Sequence, residues 1–247
     1  MRISIVGYGR MGREIEEIAL ERGHEIVYKI HADNQEDLQA ISQGNTDVVI
    51  EFTQPDAVRV NLERLIPKSI PLVVGTTGWE EMRENIRERV LSQGPSLVYA
   101  SNFSLGMNIL FRLNKQLAEI MNAYPGYDVF IEDRHHAHKQ DSPSGTALSL
   151  AEQIVERLER KRSYATPADL AKRAPAANEL SIGSVRAGKI VGIHTVSYTG
   201  YEDTISLTHE AHNRRGFALG AVVAAEKIIG RRGFFRFDEL LWDTQAV

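Results

Sequence analysis

The sequence predicts an α/β protein: an N-terminal Rossmann-like doubly wound parallel sheet, then an α+β domain with a mixed sheet. Three observations carry this. Short apolar runs alternate with helical patterns through the first hundred residues, the rhythm of a parallel sheet with crossover helices. The first run ends in Gly7-x-Gly9-x-x-Gly12 at the entry to a helix. After Asn102-Phe103-Ser104 the pattern changes to helices and alternating strands.

Ile3-Ser4-Ile5-Val6 is a short apolar strand. The stretch 13–22 carries Ile15, Ile18, Ala19 and Leu20 on a helical period, and Gly23 supplies the stop. Glu25-Ile26-Val27-Tyr28-Lys29-Ile30 is the second strand and Asp47-Val48-Val49-Ile50-Glu51-Phe52 the next. Thr53-Gln54-Pro55 turns into a helix over 56–65. Pro71-Leu72-Val73-Val74 is a buried strand that ends at Gly75-Thr76-Thr77-Gly78. A highly charged helix over 79–92 and a strand over 96–100 complete this half.

Residues 106–121 then read as a helix with Met107, Leu110, Phe111, Leu113, Leu117 and Ile120 apolar. The strand 127–133 leads into a histidine-rich segment. Pro143-Ser144-Gly145 makes a turn, and 146–160 is a long helix for which Ser144 is the candidate N-cap. The stretch 161–178 is polar and alanine-rich, a loop or short helix. Residues 180–185, 189–198 and 204–210 alternate like antiparallel strands. An apolar helix over 217–229 closes the pattern and is expected to pack back on the first domain. Hinges then fall near Phe103-Ser104 and Arg215-Gly216, and a cleft between domains is the default ligand site.

Composition removes several functional classes. The net charge of −4 gives no basic field for nucleic acid. The absence of cysteine excludes a disulfide framework and any thiolate nucleophile or metal site. No apolar run approaches the ~18 residues of a membrane span, and the N-terminus enters a strand pattern without a signal peptide. A cytoplasmic location without a membrane partner is expected.

The glycine run has a mechanism in this context. Gly7 permits a tight turn, Gly9 lets a pyrophosphate approach the backbone, and Gly12 lets the helix pack on the strand. The helix N-terminus offers N–H groups to the phosphates, and Arg10 adds a contact. The segment Gly7, Tyr8, Gly9, Arg10, Met11 and Gly12 is therefore the candidate pyrophosphate loop. About 20 residues past such glycines an acidic residue binds the adenosine ribose; Asp33 is the candidate here, and the lack of a following arginine leans towards NADH over NADPH. Gly75, Thr76 and Thr77 end one strand, and Ala100, Ser101, Asn102 and Phe103 another, where the nicotinamide half would lie.

Three of the eight histidines, His135, His136 and His138, fall within four residues, and Lys139 follows. Packed cations repel, so folding has no use for such a cluster. Gathering proton donors and positive charge around an anion does. Histidine titrates near neutrality and is the usual general acid. Strand alternation puts His135 and His136 on opposite sides. Asp141 is placed to tether Lys139, and Gly145-Thr146 at a helix start offers N–H groups and a hydroxyl to a carboxylate. Two other readings remain at this point: a metal held by His135 and His138, disfavoured by the neighbouring lysine, and a Schiff base at Lys139, which nothing obviously desolvates. No metal is expected.

Glu132-x-x-His135-His136-x-x-Lys139-x-Asp141-x-Pro143-Ser144-Gly145-Thr146-Ala147 resembles the signature of the 4-hydroxy-tetrahydrodipicolinate reductase (dihydrodipicolinate reductase) family. Gly75-Thr76-Thr77, Asn102-Phe103-Ser104-x-Gly106, Arg186-x-Gly188-x-Ile190-Val191-Gly192-x-His194-Thr195 and Arg214-x-x-Phe217-Ala218-x-Gly220-Ala221 extend the resemblance over nearly the whole chain. It implies hydride transfer from NADH or NADPH to 4-hydroxy-tetrahydrodipicolinate, giving tetrahydrodipicolinate and water in diaminopimelate and lysine biosynthesis. It implies His135 as general acid and Lys139 as second proton donor or charge stabiliser. His136, Ser144, Gly145 and Thr146 would bind a substrate carboxylate. Domains follow as 1–103 for the dinucleotide, 104–215 for substrate and oligomerisation, and 216–247 as the returning helix. Family members are typically homotetramers built through the second sheet, and the apolar residues Ile190, Ile193, Val196 and Tyr198 are compatible with that.

The chain departs from the pattern in two places. Many members have Gly-x-x-Gly-x-x-Gly where this loop is one residue shorter, and Glu-Arg where this chain has His31-Ala32-Asp33. Two rival readings stand beside the resemblance. A dehydrogenase acting on an amino acid or imine explains the glycines but not the Pro-Ser-Gly-Thr turn. A non-catalytic dinucleotide sensor needs neither His135 nor Lys139.

Overall fold

The computed structural model describes residues 1–242 of the chain. It divides into two compact units, Met1–Leu105 with the stretch from Arg214 onward, and Gly106–Asn213. The first begins with β1 (Arg2–Val6), α1 (Arg10–Glu21), β2 (Glu25–Ile30), β3 (Val48–Glu51), α2 (Pro55–Leu65), β4 (Leu72–Val74), α3 (Arg83–Gln93) and β5 (Leu97–Tyr99). All these strands pair in parallel, in the order β5-β4-β3-β1-β2. Every residue of β3 and β4 is buried, as expected of parallel strands covered on both faces. Sheet order reverses between β1 and β3. That reversal is where open α/β sheets leave a crevice at the C-terminal strand ends.

The second unit holds most of α4 (Leu105–Ile120), then β6 (Asp128–His135), α5 (Gly145–Val155), β7 (Ser163–Ala165), α6 (Pro167–Leu170), β8 (Glu179–Arg186), β9 (Gly192–Thr199) and β10 (Thr204–Ala211). Its sheet runs β10-β9-β6-β8-β7. The expectation of antiparallel strands holds for β9 against both β6 and β10. It fails for β8, which pairs in parallel with β6 and β7. Local alternation reports a half-buried strand and carries no direction, so it could not distinguish these.

Register assigns the two faces. Val129, Ile131, Val196, Tyr198, Leu180 and Ile182 all point into the core built with α4 and α5. Val196 and Tyr198 therefore do not belong to an oligomer surface, which corrects the sequence expectation. The other face of β9 carries Ile193, Thr195, Ser197 and Thr199. There Thr195, Ser197 and Thr199 share hydroxyl hydrogen bonds with Thr208, Ser206 and Thr204 at 2.9–3.1 Å.

The 161–178 stretch is ordered by a buried lysine. Lys161 Nζ donates to the carbonyls of Ala177 (3.0 Å) and Glu179 (2.7 Å) and lies 2.7 Å from Asp128. All three ammonium protons have a partner, which offsets the cost of enclosing the charge.

The chain then returns to the first unit as α7 (Arg215–Ile228), β11 (Phe234–Arg236) and α8 (Phe237–Trp242). The sequence reading contains neither β11, which adds parallel to β5, nor α8. A three-residue strand is too short to show a period. Helix α7 packs on α1 and the sheet through Ala218, Ala221, Val222, Ala224 and Ala225. Its Gly220 has no room for a side chain, since a Cβ would lie 1.6 Å from the Phe103 carbonyl oxygen. Gly220→Ala is expected to destabilise the protein by about 1–3 kcal/mol or more by forcing the helix off the strand end. Urea unfolding with an unchanged m-value would measure it.

Candidate active site

The first unit contains a cavity of about 520 Å³ lined by Gly7, Tyr8, Gly9, Arg10, Met11, His31, Ala32, Gln35, Phe52, Thr53, Gln54 and Ala57. It sits at the strand-order reversal, between the ends of β1 and β3. Gly7 makes the turn at φ +97°, and a Cβ there would meet the Phe52 carbonyl oxygen at 2.0 Å. Nothing lies within 4 Å of a Cβ on Gly9, so that backbone is open to a ligand. Helix α1 starts at Arg10, three residues before the sequence pattern placed it, with no side-chain cap and no acidic residue in its first turn. Its first N–H groups and its positive end are thus left for an anion.

Tyr8 and His31 form one wall. The Tyr8 hydroxyl donates to Glu16, which also pairs with Lys29 at 2.5 Å. That hydrogen bond holds the Tyr8 phenol above its ordinary value, and the two partners hold Glu16 below its own despite burial. The His31 ring packs edge-on against Tyr8, with centroids 5.0 Å apart. Asp33 is exposed and is not among the lining residues.

The other dinucleotide candidates divide. Gly75 is half-buried under the Phe52 ring. Thr76 is buried and its hydroxyl accepts from the Thr53 N–H at 2.7 Å, while Thr77 is exposed. Ala100 is half-buried, Ser101 exposed, and Asn102 accepts from Ser104 N–H at 2.9 Å. Phe103 is 2% exposed and stacks between Phe52 and Phe237, so its side chain is core rather than a ligand contact.

In the second unit β6 runs two residues further than the sequence pattern, so His135 is its last residue. Alternation along β6 buries Val129, Ile131, Asp133 and His135 on one face. Glu132, quoted in the sequence signature, is on the opposite face beside Arg134. The carboxylate that matters to His135 is Asp133.

Asp133 is fully enclosed. Its Oδ1 accepts from the Ser144 hydroxyl (2.9 Å) and lies 2.8 Å from His135 Nδ1 and 3.4 Å from His194 Nε2. Its Oδ2 accepts from the Ser144 N–H and from Arg186, both at 2.8 Å. The His135 contact is an ion-pair approach off the line of a hydrogen bond. Burial works against the carboxylate, but these donors hold Asp133 far below the ordinary range. Burial pushes His135 below the usual histidine value; the Asp133 charge pulls it back, and His194, Lys139 and Arg186 oppose that pull.

Arg186 also donates to the Asp141 carbonyl at 2.7 Å. It thereby clamps the loop that carries Lys139. Lys139 Nζ is 2.7 Å from Asp141 Oδ1, and this partner holds Asp141 below its ordinary value. His136 is half-buried and His138 exposed. Ser144 is the N-cap of α5 and accepts from Ala147 N–H at 3.2 Å. Gly145, exposed, and Thr146, half-buried, form the first turn of that helix.

Sequence reasoning assigned no role to Asp133, Arg186 or His194. Counting back two residues along the strand from His135 reaches Asp133. The other two are joined to it only by the pairing of β8 and β9 with β6. Asp133, His135 and His194 each offer a ligand atom, all within 4.8 Å of one another, and could in principle hold a metal ion. Arg186 already supplies positive charge there, and Ser144 donates two hydrogen bonds to the same carboxylate. His138 is outside this group.

A family model described as "Dihydrodipicolinate reductase, N-terminus" matches residues 1–103, and one described as "Dihydrodipicolinate reductase, C-terminus" matches residues 106–241. The chain belongs to the dihydrodipicolinate reductase family. It is 41% identical over 243 residues to the 4-hydroxy-tetrahydrodipicolinate reductase of Christiangramia forsetii, covering 98% of each chain. It is 32% identical over 230 residues to the enzyme of that name from Neisseria gonorrhoeae, covering 92% of this chain and 83% of that one. Among solved structures, a dipicolinate-bound dihydrodipicolinate reductase from Paenisporosarcina sp. TG-14 shares the fold with TM-score 0.76 and 22% identity, covering 97% of this chain and 98% of that one. An amine dehydrogenase from Mycobacterium smegmatis shares it more distantly, with TM-score 0.63, 11% identity, and 96% and 95% covered. A dihydrodipicolinate reductase is a pyridine-nucleotide oxidoreductase, and the uncapped α1 start and open Gly9 backbone suit such a cofactor's pyrophosphate. Among the described residues no helix is long and apolar enough to cross a membrane.

Proposed function

We propose that this chain reduces 4-hydroxy-tetrahydrodipicolinate to tetrahydrodipicolinate and water with NADH or NADPH, in diaminopimelate and lysine biosynthesis. The observation that carries this is the Asp133–His135 pair, buried on the strand that opens the family's signature segment. Gly7 to Gly12 would hold the pyrophosphate, and the loops at Gly75 to Thr77 and Ala100 to Phe103 the nicotinamide half. The bound nicotinamide supplies the hydride. The remaining steps belong to side chains of the second unit.

The substrate carries two carboxylates. His136, Thr146 and the first N–H groups of α5 would take one of them, with Ser144 holding that helix start in place. His135 is the proton donor. Asp133 lies 2.8 Å from Nδ1, where its charge favours the protonated ring, and Nε2 is left for the proton in transit. The free enzyme disfavours charge on His135; an arriving dianion reverses this, so the acid is armed when substrate is present. Lys139, steadied by Asp141, offsets negative charge that develops on the substrate.

The lean to NADH comes from the lack of an arginine after Asp33, the ribose candidate. Because Asp33 is outside the cavity wall, Asp33→Asn is expected to change KM for NADH by less than about twofold, and both cofactors are to be tested side by side. We further propose a cytoplasmic homotetramer. Exposed Val185 on β8, across β6 from the hydroxyl row that β9 shares with β10, supports the open face of the second sheet as the contact, and sedimentation equilibrium tests it.

The direct test of the site is a titration with dipicolinate, a stable planar dicarboxylate, in the presence of NADH. Saturable binding that Lys139→Ala weakens at least about tenfold supports the reading. Binding that the substitution leaves unchanged removes Lys139 from the site.

A further inference from the structure

Glu51 is a carboxyl with no evident structural purpose. It ends the central strand β3 between Val6 of β1 and Val74 of β4, and it is 0% exposed. Its Oε1 accepts from the Thr53 hydroxyl and from Asn61 Nδ2 at 3.1 Å. Its Oε2 is buried without a hydrogen-bond partner. A buried polar atom left in that condition calls for a reason.

The bonds around Glu51 run to the rim of the dinucleotide cavity. Thr53, which donates to Glu51, is itself a lining residue. The Thr53 N–H donates to the Thr76 hydroxyl at 2.7 Å, and the Glu51 carbonyl accepts from Gly75 N–H at 2.9 Å. Asn61, 1% exposed, reaches in from α2 and contacts both Glu51 and Thr53. Thr76 is held from its other side by the Trp79 indole, 2.8 Å from the Thr76 carbonyl. One carboxyl thus joins α2, the loop after β3 and, through Thr53, the loop after β4.

We infer that Glu51 is a positioning residue for the dinucleotide, bracing the Phe52–Gln54 and Gly75–Thr77 loops in the form that binds it. This rests on the dinucleotide reading of the cavity. The groups that face Glu51 are Val6, Val74, Thr53, Asn61 and Thr76, none of them charged. The charged residues of α2, Asp56, Arg59, Glu63 and Arg64, are exposed. Burial without a cation raises the Glu51 carboxyl above its ordinary value. The sign follows: the protonated form prevails at low pH, and as pH rises through the raised value a negative charge forms there with no cation to meet it. Ionisation there would also set a buried negative charge against the loop that receives an anionic ligand.

The experiment measures Kd for NADPH by nicotinamide fluorescence from mildly acidic to alkaline pH, with apo-protein Tm in parallel, for wild type, Glu51→Gln and Glu51→Leu. Glu51→Leu is expected to raise Kd about tenfold with Tm little changed, and Glu51→Gln to restore the neutral-pH affinity. Wild-type Kd is expected to climb as pH rises through the raised value of the Glu51 carboxyl, and that of Glu51→Gln to stay flat. If Glu51→Leu does not fold, the pH comparison of wild type with Glu51→Gln still decides. Equal Kd in all three proteins, or the same pH dependence in wild type and Glu51→Gln, overturns the inference. Failure of the wild type to bind any dinucleotide overturns the reading of the cavity, and this inference with it.

Discussion

His135→Ala is expected to lower kcat by about 10²–10⁴-fold, the range of a positioned general acid, while the Kd for NADH or NADPH stays at the wild-type value. The separation arises because His135 belongs to the second unit and the glycine-loop cavity is formed wholly by residues of the first. Steady-state turnover at saturating substrate gives kcat, and nicotinamide fluorescence gives Kd. The pH profile adds a sign. In the free enzyme burial holds His135 below the ordinary ~6.5 of histidine, so kcat/KM should fall as pH rises through that lowered value. The bound dianion raises it, so kcat should fall at a higher pH than kcat/KM. Adding Lys139→Ala removes residual turnover without touching dinucleotide binding, whereas a sensor would register neither change.

Asp133→Ala is expected to cost about 3–5 kcal/mol, because it leaves a mostly buried guanidinium without its counter-charge. Arg186 loses its 2.8 Å partner, and Ser144 loses the acceptor for both its N–H and its hydroxyl. For a chain of this size that corresponds to a fall in Tm of roughly 10 °C. Asp133→Asn keeps the volume and one acceptor and should fold, but it removes the charge that pulls His135 upward, so the kcat/KM limb moves further acid. The wild-type carboxylate is depressed, so its stabilisation is complete above the ordinary ~4 of aspartate and is lost as pH falls below that. Asp133→Asn should flatten this acid dependence in a urea titration across pH.

The first unit was largely legible from the sequence, because its signals are local. Apolar runs of strand length, glycines at fixed spacing and the helix stop at Gly23 each specify the fold without distant partners. What escaped is non-local or very short. The direction of β8, and the arrival of Arg186 and His194 at Asp133, are set by strand pairing across some 50 residues. Phe103 looked like a ligand contact because it follows a strand end, yet its ring fills the space between Phe52 and Phe237. Asp33 had the sequence spacing of a ribose ligand, but that spacing does not specify which way the loop after β2 turns. Asp133 carries no motif of its own in the sequence, and the strand's alternation is what places it, rather than Glu132, on the face that meets His135.

The most direct test is a coupled turnover assay. Pyruvate and aspartate semialdehyde, condensed by the synthase that precedes this step, supply the unstable substrate, and loss of reduced-nicotinamide absorbance is followed with NADH and with NADPH. Rapid oxidation that depends on the synthase is the expected result, and the two rates rank the cofactors. No oxidation with either cofactor, in protein that binds the dinucleotide, would contradict the assignment.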